Sequence, residues 1–186
     1  IAFEYDGTKN RNAVLNILRD LDVLSNKHVP LVYKSNSRKV RLEVLAGLLD
    51  TDGHMHHSGF DFISKSRQLS EDVAYLSRSL GLAAYVSECE KECVNNGVSG
   101  TYYRVFISGD TSIIPNRIPR KKALRRTQKK DVLVTGIKVT PVGNGEYFGF
   151  ELDGDGLFLL GDFTVTHNTT IMQRICEYAV GLDWPV

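Results

Sequence analysis

The chain has 186 residues, 42% of them hydrophobic and 24% charged, with a formal net charge of +1. This is a soluble globular composition with room for one or two domains, and no apolar run approaches the ~18 residues needed to cross a bilayer. The chain opens at Ile1 without a basic start or an apolar stretch, so no secretory signal is read in it, and it is expected to be a piece of a longer protein.

In chain order, Val14, Leu15, Ile17, Leu18 and Leu21 predict a helix over 10–22, broken by the stretch from Asn26 to Pro30. Val40, Leu42, Val44, Leu45, Leu48 and Leu49 predict a second helix over 38–50, with Gly53 at its end. Phe60, Phe62 and Ile63 read as a strand, and Leu69 to Leu80 as a helix closed by Gly81. Ala83–Ser87 and Tyr102–Ser108 read as paired strands joined by a polar loop with Asn95, Asn96 and Gly97. Helix, strand, helix, strands in that order predict an α+β unit.

Residues 117–130 hold Arg117, Arg120, Lys121, Lys122, Arg125, Arg126, Lys129 and Lys130 and no acid. Such a block can neutralise phosphates, or it can be a solvated linker. Beyond it, Val132–Val139, Glu146–Leu152 and Leu157–Thr166 are short and strand-like, and Gly161-Asp162 reads as a tight hairpin turn. Residues 131–168 are therefore expected to be all-β, with a domain boundary near 125–131. The tail changes texture again, with Ile171, Ile175, Ala179 and Val180 at helical spacing. Cys89, Cys93 and Cys176 are odd in number and lack a second ligand pair, which disfavours zinc. Free thiols in a reducing intracellular compartment, cytoplasm or nucleus, are the plainer reading.

Two constellations carry chemistry. The first is LAGLLDTDG, residues 45–53, a helix ending on two carboxylates, Asp50 and Asp52. Ala46 and Gly47 are small enough for a second helix to approach closely. Acids at a helix C-terminus are disfavoured by ~0.3–1 kcal/mol each, so a compensating cation is expected. A hard divalent ion such as Mg2+, activating water against a phosphodiester, fits.

This stretch is similar to the signature of the LAGLIDADG homing endonucleases. The resemblance implies that Asp52 is the catalytic metal ligand and Asp50 the more structural acid. It also implies two such helices packed along their small residues, each acid near one scissile phosphate. Asn26-Lys27-His28-Val29-Pro30 resembles the family's lysine block, with Lys27 as the matching lysine, so LAGLLDTDG would be the second copy. Lys121 or Lys122, near Pro119, is a loose match to a second basic position. Arg120, Lys121, Lys122, Arg125 and Arg126 are the expected DNA contacts.

The second constellation is His167-Asn168-Thr169 directly after the predicted hairpin. An asparagine side-chain amide can attack its own main-chain carbonyl, form a succinimide and sever the next peptide bond. The step needs a proton donor for the leaving amine or a polarised carbonyl, which His167 can supply. Thr169 offers a hydroxyl nucleophile. This resembles the C-terminal splice junction of inteins, with His167 as penultimate residue, Asn168 as the last intein residue and Thr169 as the first residue of the C-extein. Gly149 stands where the family's preceding block often has an Asp, and Gly156 where it often has a His. Asp153 or Asp155 could substitute for the missing acid.

The resemblances together imply the C-terminal portion of a LAGLIDADG endonuclease over 1–125, the all-β C-terminal part of a Hint splicing domain over 126–168, and a C-extein over 169–186. They imply Mg2+ for the endonuclease and no cofactor for splicing. The implied partners are double-stranded DNA of the intein-less host gene, the upstream intein half and the N-extein, with no membrane. An initial Cys or Ser and a Thr-x-x-His block belong to that upstream half. Thr169-Thr170 opening a helix could be the end of a nucleotide-binding P-loop in the host. Competing readings are a free-standing LAGLIDADG endonuclease with a β-extension, and a decayed endonuclease kept as a DNA-binding or structural insert.

Overall fold

A computed structural model describes residues 13–57, 59–92, 99–125 and 151–167, with scattered positions between 131 and 150. The chain divides into two compact units, residues 1–133 and 134–186. The first is a mixed α+β unit. Its elements are α1 (Ala13–Asp20), α2 (Leu31–Lys34), α3 (Arg38–Asp52), β1 (Gly53–His56), β2 (Gly59–Ser64), α4 (Arg67–Ser79), β3 (Ala83–Glu92) and β4 (Ser99–Ser108).

The four strands form one antiparallel sheet in the order β1-β2-β4-β3. Its register sets Phe62 between Gly53 and Val105, and Phe60 between Met55 and Ile107. Side chains alternate across a strand, so Phe60, Phe62, Ala84, Val105 and Ile107 all face the helices. They are buried with Leu45 and Leu49 of α3 and Val73 and Leu76 of α4. A fully buried Leu or Phe stabilises by about 1.5–3 kcal/mol relative to exposure. Removing any one of these side chains would therefore be felt throughout the unit.

Both long helices start on a serine. The Ser37 hydroxyl accepts from the Val40 N–H, and the Ser66 hydroxyl from the Leu69 N–H, satisfying donors that the helices leave open. Asp72, on α4, is buried and accepts from three groups: the Val29 N–H at 2.7 Å, the Lys34 ammonium at 2.5 Å and the Gln68 amide at 3.0 Å. That carboxylate ties the segment before α3 to α4. Pro30, expected to stop a helix, instead precedes the short α2 as its N-cap residue.

Several elements differ from expectation. β1 follows α3 without a break and was not legible as a strand. β3 and β4 run further than their apolar cores, to Glu92 and from Ser99. The reason is cross-strand pairing, which continues through Lys91↔Gly100 and Glu92↔Ser99.

The described part of the second unit contains a hairpin, β5 (Leu157–Leu159) with β6 (Val165–His167). Its turn is longer than a two-residue Gly-Asp turn. The Phe163 N–H donates to the Leu160 carbonyl, and the Leu160 N–H to that of Thr164. Phe163 takes φ 70, and the Asp162 carboxylate accepts from the Thr164 N–H at 3.0 Å. A type I turn followed by a left-handed residue is the usual three-residue solution. Among the described positions within 132–139 and 146–152 there is no strand. The rest of those predicted strands, the start of the first predicted helix and the predicted tail helix lie outside the described residues.

Candidate functional site

The site is built where α3 passes into β1. Helix α3 ends at Asp52, and the Gly53 N–H donates to the Leu49 carbonyl. Gly53 has an ordinary φ of −76°, so conformational freedom is not why glycine is needed there. A Cβ at this position would lie 2.7 Å from the Leu49 carbonyl oxygen and 2.8 Å from its Cα. Only glycine lets the strand leave the helix at this angle.

The last carbonyls of a helix have no partner within it. Here Lys121 supplies one. Its ammonium donates to the carbonyls of Leu49 and Asp50 at 2.8 Å each, with Thr51 at 3.4 Å. Lys121 is 7% exposed. This departs from its expected role as a DNA contact, because the charge is turned inward and consumed by the helix end. A cation at this position also offsets the repulsion between the helix dipole and the two acids.

The acids divide their roles. Asp50 accepts from the Asn116 side-chain amide at 3.0 Å and from the Arg117 N–H at 2.8 Å. It therefore pins the 114–118 segment, from which the Lys121 turn follows, to α3. Partial burial pushes its carboxyl up. The Arg117 N–H, the Asn116 amide, the Ile118 N–H and the Lys121 charge together outweigh that and hold it below its ordinary 3.8. Asp52 is exposed, and among the described residues no donor reaches its carboxylate.

A hard-oxygen carboxylate of that kind suits Mg2+, which is usually held by one or two carboxylates plus waters and phosphate oxygens. Among the described residues no group of three or more His, Cys, Asp or Glu converges to form a closed metal cage. Asp52 fits one protein ligand of an open site.

The structure does not bring Lys27 to Asp52. Among the described residues the two share no hydrogen bond or ion pair. Lys27 is exposed, and its carbonyl accepts from the Ser66 hydroxyl at 2.8 Å, at the start of α4. Arg120, Lys122 and Arg125 are exposed, whereas Arg126 lies outside the described residues. An open groove of about 880 Å³ runs along α3, with Val40, Val44, Gly47 and Thr51 on its wall. Gly47 has nothing within 4 Å of where a Cβ would sit, whereas Ala46 is buried in the core. Of the two small residues, Gly47 is the one that leaves this face open.

The sheet face away from the helices carries polar and aromatic groups that sequence reasoning missed. Its residues, placed by register, are His54, His56, Asp61, Ile63, Tyr102, Arg104, Phe106, Tyr85, Ser87, Cys89 and Lys91. The Lys65 ammonium lies 5.4 Å from the Tyr102 ring centre. Alternation in β3 puts Glu88, Glu90 and Glu92 on the helix side, where Glu90 accepts from the Thr101 hydroxyl. That leaves Asp61 as the one acid on the open face of the described strands. The period-two run Ser87-Glu88-Cys89-Glu90-Lys91-Glu92 was the available signal.

In the second unit, His167 ends β6, opposite Leu157. Its imidazole lies against the backbone of Gly156. Asn168 and Thr169 lie outside the described residues.

Residues 39–112 match the model of the LAGLIDADG-like domain. The matched stretch takes in all but the first residue of α3, the four-stranded sheet and α4. A replicative DNA helicase DnaB of Mycobacterium intracellulare is 32% identical over 163 residues, an alignment that takes in 83% of this chain. The chain spans only 28% of that relative's length.

Asp50 yields a test with a definite sign. A carboxyl held low in the folded state stabilises above its unfolded value of about 3.9. That stability is lost as pH falls through the folded value. The native protein should therefore be more stable than Asp50→Asn at pH 7, with the gap closing below about pH 4 in urea unfolding. A gap that stayed constant from pH 7 to the acid limit would contradict it.

Proposed function

We propose that this chain is the C-terminal part of an intein with an embedded LAGLIDADG homing endonuclease, set in a replicative helicase of the DnaB kind. The observation that carries this reading is the coincidence of two matches. A nuclease-type LAGLIDADG-like domain lies inside a stretch aligned with a protein named as a helicase. A mobile insertion explains how both belong to one chain. Because the alignment takes in 83% of the chain, it extends beyond the domain into the second unit. His167-Asn168-Thr169 then marks the boundary with the host, and Thr169–Val186 is C-extein. A helicase host is compatible with Thr169-Thr170 ending a nucleotide-binding loop.

In the endonuclease reading, the open sheet face and the exposed Arg120, Lys122 and Arg125 receive double-stranded DNA. Arg104 and Lys65 give that face cationic side chains, and His54, His56, Ser87 and Asp61 give it groups that can hydrogen-bond base edges. Lys121 and Gly53 hold the end of α3 so that Asp52 projects toward solvent. Mg2+ bound there would supply Lewis-acid activation of water and neutralisation of phosphate charge. A second LAGLIDADG helix would pack into the groove at Gly47 and bring the other acid.

In the splicing reading, the Asn168 side-chain nitrogen attacks the Asn168 main-chain carbonyl carbon. The bond to the Thr169 nitrogen breaks, and the proton lost by the amide ends on the released Thr169 amine. His167 moves that proton or polarises the carbonyl.

The two activities are tested in the full-length precursor. Asp52→Asn is expected to lower Mg2+-dependent cleavage of the uninterrupted host site by at least ~10²-fold, comparable to losing one charge-stabilising group, while DNA affinity in a gel-shift assay stays within about threefold. Undiminished cleavage would remove Asp52 from the mechanism. Asn168→Ala is expected to stop release of the C-extein. Mass spectrometry that still finds a chain starting at Thr169 would rule out the junction.

A further inference from the structure

The second unit contains a contact that the reading above leaves unused. Gly156 has φ +66°, and a Cβ built on it would lie 2.7 Å from Nε2, 3.1 Å from Cε1 and 3.2 Å from Cδ2 of His167. The imidazole therefore occupies the volume that any side chain at 156 would need. Backbone pairing fixes both ends of this contact. Leu157, next to Gly156, is the cross-strand partner of His167. The Leu157 N–H also donates to the Asp155 carboxylate at 3.1 Å, which closes the turn leading into β5.

We infer that Gly156 is a positioning residue for the Asn168 cyclisation: its missing side chain forms the seat that holds the His167 ring. This inference rests on the splicing reading. Where the related block often carries a histidine, this chain keeps the space empty and fills it with the penultimate histidine. Restoring a histidine at 156 would not add a catalytic group but would displace the one present. Position 156 thus acts through His167, whose ring it seats.

A positive φ complicates any substitution, since a non-glycine residue is strained there whatever the space. Gly154 supplies the control. It has φ +71°, and nothing lies within 4 Å of its Cβ position. Gly154→Ala therefore imposes the same kind of backbone strain without the clash.

The experiment compares Gly156→Ala, Gly156→His and Gly154→Ala in the full-length precursor. Cleavage at Asn168–Thr169 is followed by mass spectrometry across pH 5.5 to 9, and the His167 ring resonances by NMR. Gly156→Ala and Gly156→His should each slow cleavage at least tenfold, displace its pH profile and move the His167 ring shifts. Gly154→Ala should stay within about threefold and leave the profile and shifts in place. If the unsubstituted precursor cleaves and Gly156→Ala behaves like Gly154→Ala, the seat is overturned and the splicing reading stands. Faster cleavage in Gly156→His would also overturn it. If the unsubstituted precursor does not cleave at Asn168–Thr169, the splicing reading fails and the role of Gly156 with it.

Discussion

The ammonium of Lys121 on the carbonyls of Leu49 and Asp50 is the contact on which the candidate nuclease site depends. A helix that ends on two acids places negative charge on the negative end of its own dipole. Left alone, that end would fray, and Asp52 would have no fixed position. A buried cation reverses the balance: it gives the Asp50 carbonyl, which the helix leaves open, a donor, adds a second donor to that of Leu49, and places its charge beside the Asp50 carboxylate. A charge-assisted hydrogen bond is worth about 1.5–3 kcal/mol, enough to exceed the ~0.3–1 kcal/mol penalty of each acid.

The same contact explains why the two aspartates differ. Asp50 is committed to the Asn116 amide and the Arg117 N–H. These bonds hold the segment that delivers Lys121, so the acid secures the base that caps its own helix. Asp52, two residues on, is left exposed to solvent. Gly53 then lets the chain turn at once into β1, because no side chain blocks its approach to Leu49. The exposed carboxylate is thus joined to the sheet without an intervening loop, and its position follows that of the sheet.

Much of this was legible in the sequence, for identifiable reasons. α3 and α4 have apolar residues at helical spacing and a serine ahead of each first turn, and Phe60 and Phe62 alternate as a half-buried strand should. The acids of LAGLLDTDG stood out because they sit where a dipole disfavours them. Other features could not be read locally. β1 is Gly-His-Met-His, with only Met55 as an apolar side chain, and it is a strand because β2 pairs with it. Lys121 read as a member of a basic run and, with Lys122, as a loose match to a second basic position of the family; only the tertiary fold turns it inward across ~70 residues of chain. Asp72 is buried under three donors from two segments, a role that only the tertiary fold gives it. Gly156 was noticed as a missing histidine, whereas its contact with the His167 ring follows from the hairpin register, which pairs His167 with the neighbouring Leu157.

The claim that Lys121 fixes the end of α3 is tested most directly by native-state hydrogen exchange at Gly53 in the full-length protein carrying Lys121→Met. The Gly53 amide donates into the last turn of α3, so it reports fraying of that end. Loss of a charge-assisted cap of ~1.5–3 kcal/mol corresponds to exchange about 10- to 100-fold faster. The account predicts an acceleration of that size at Thr51–Gly53, with amides in the middle of α4 unchanged. Unchanged exchange at Gly53 would contradict it and make Lys121 a bystander to the helix it touches.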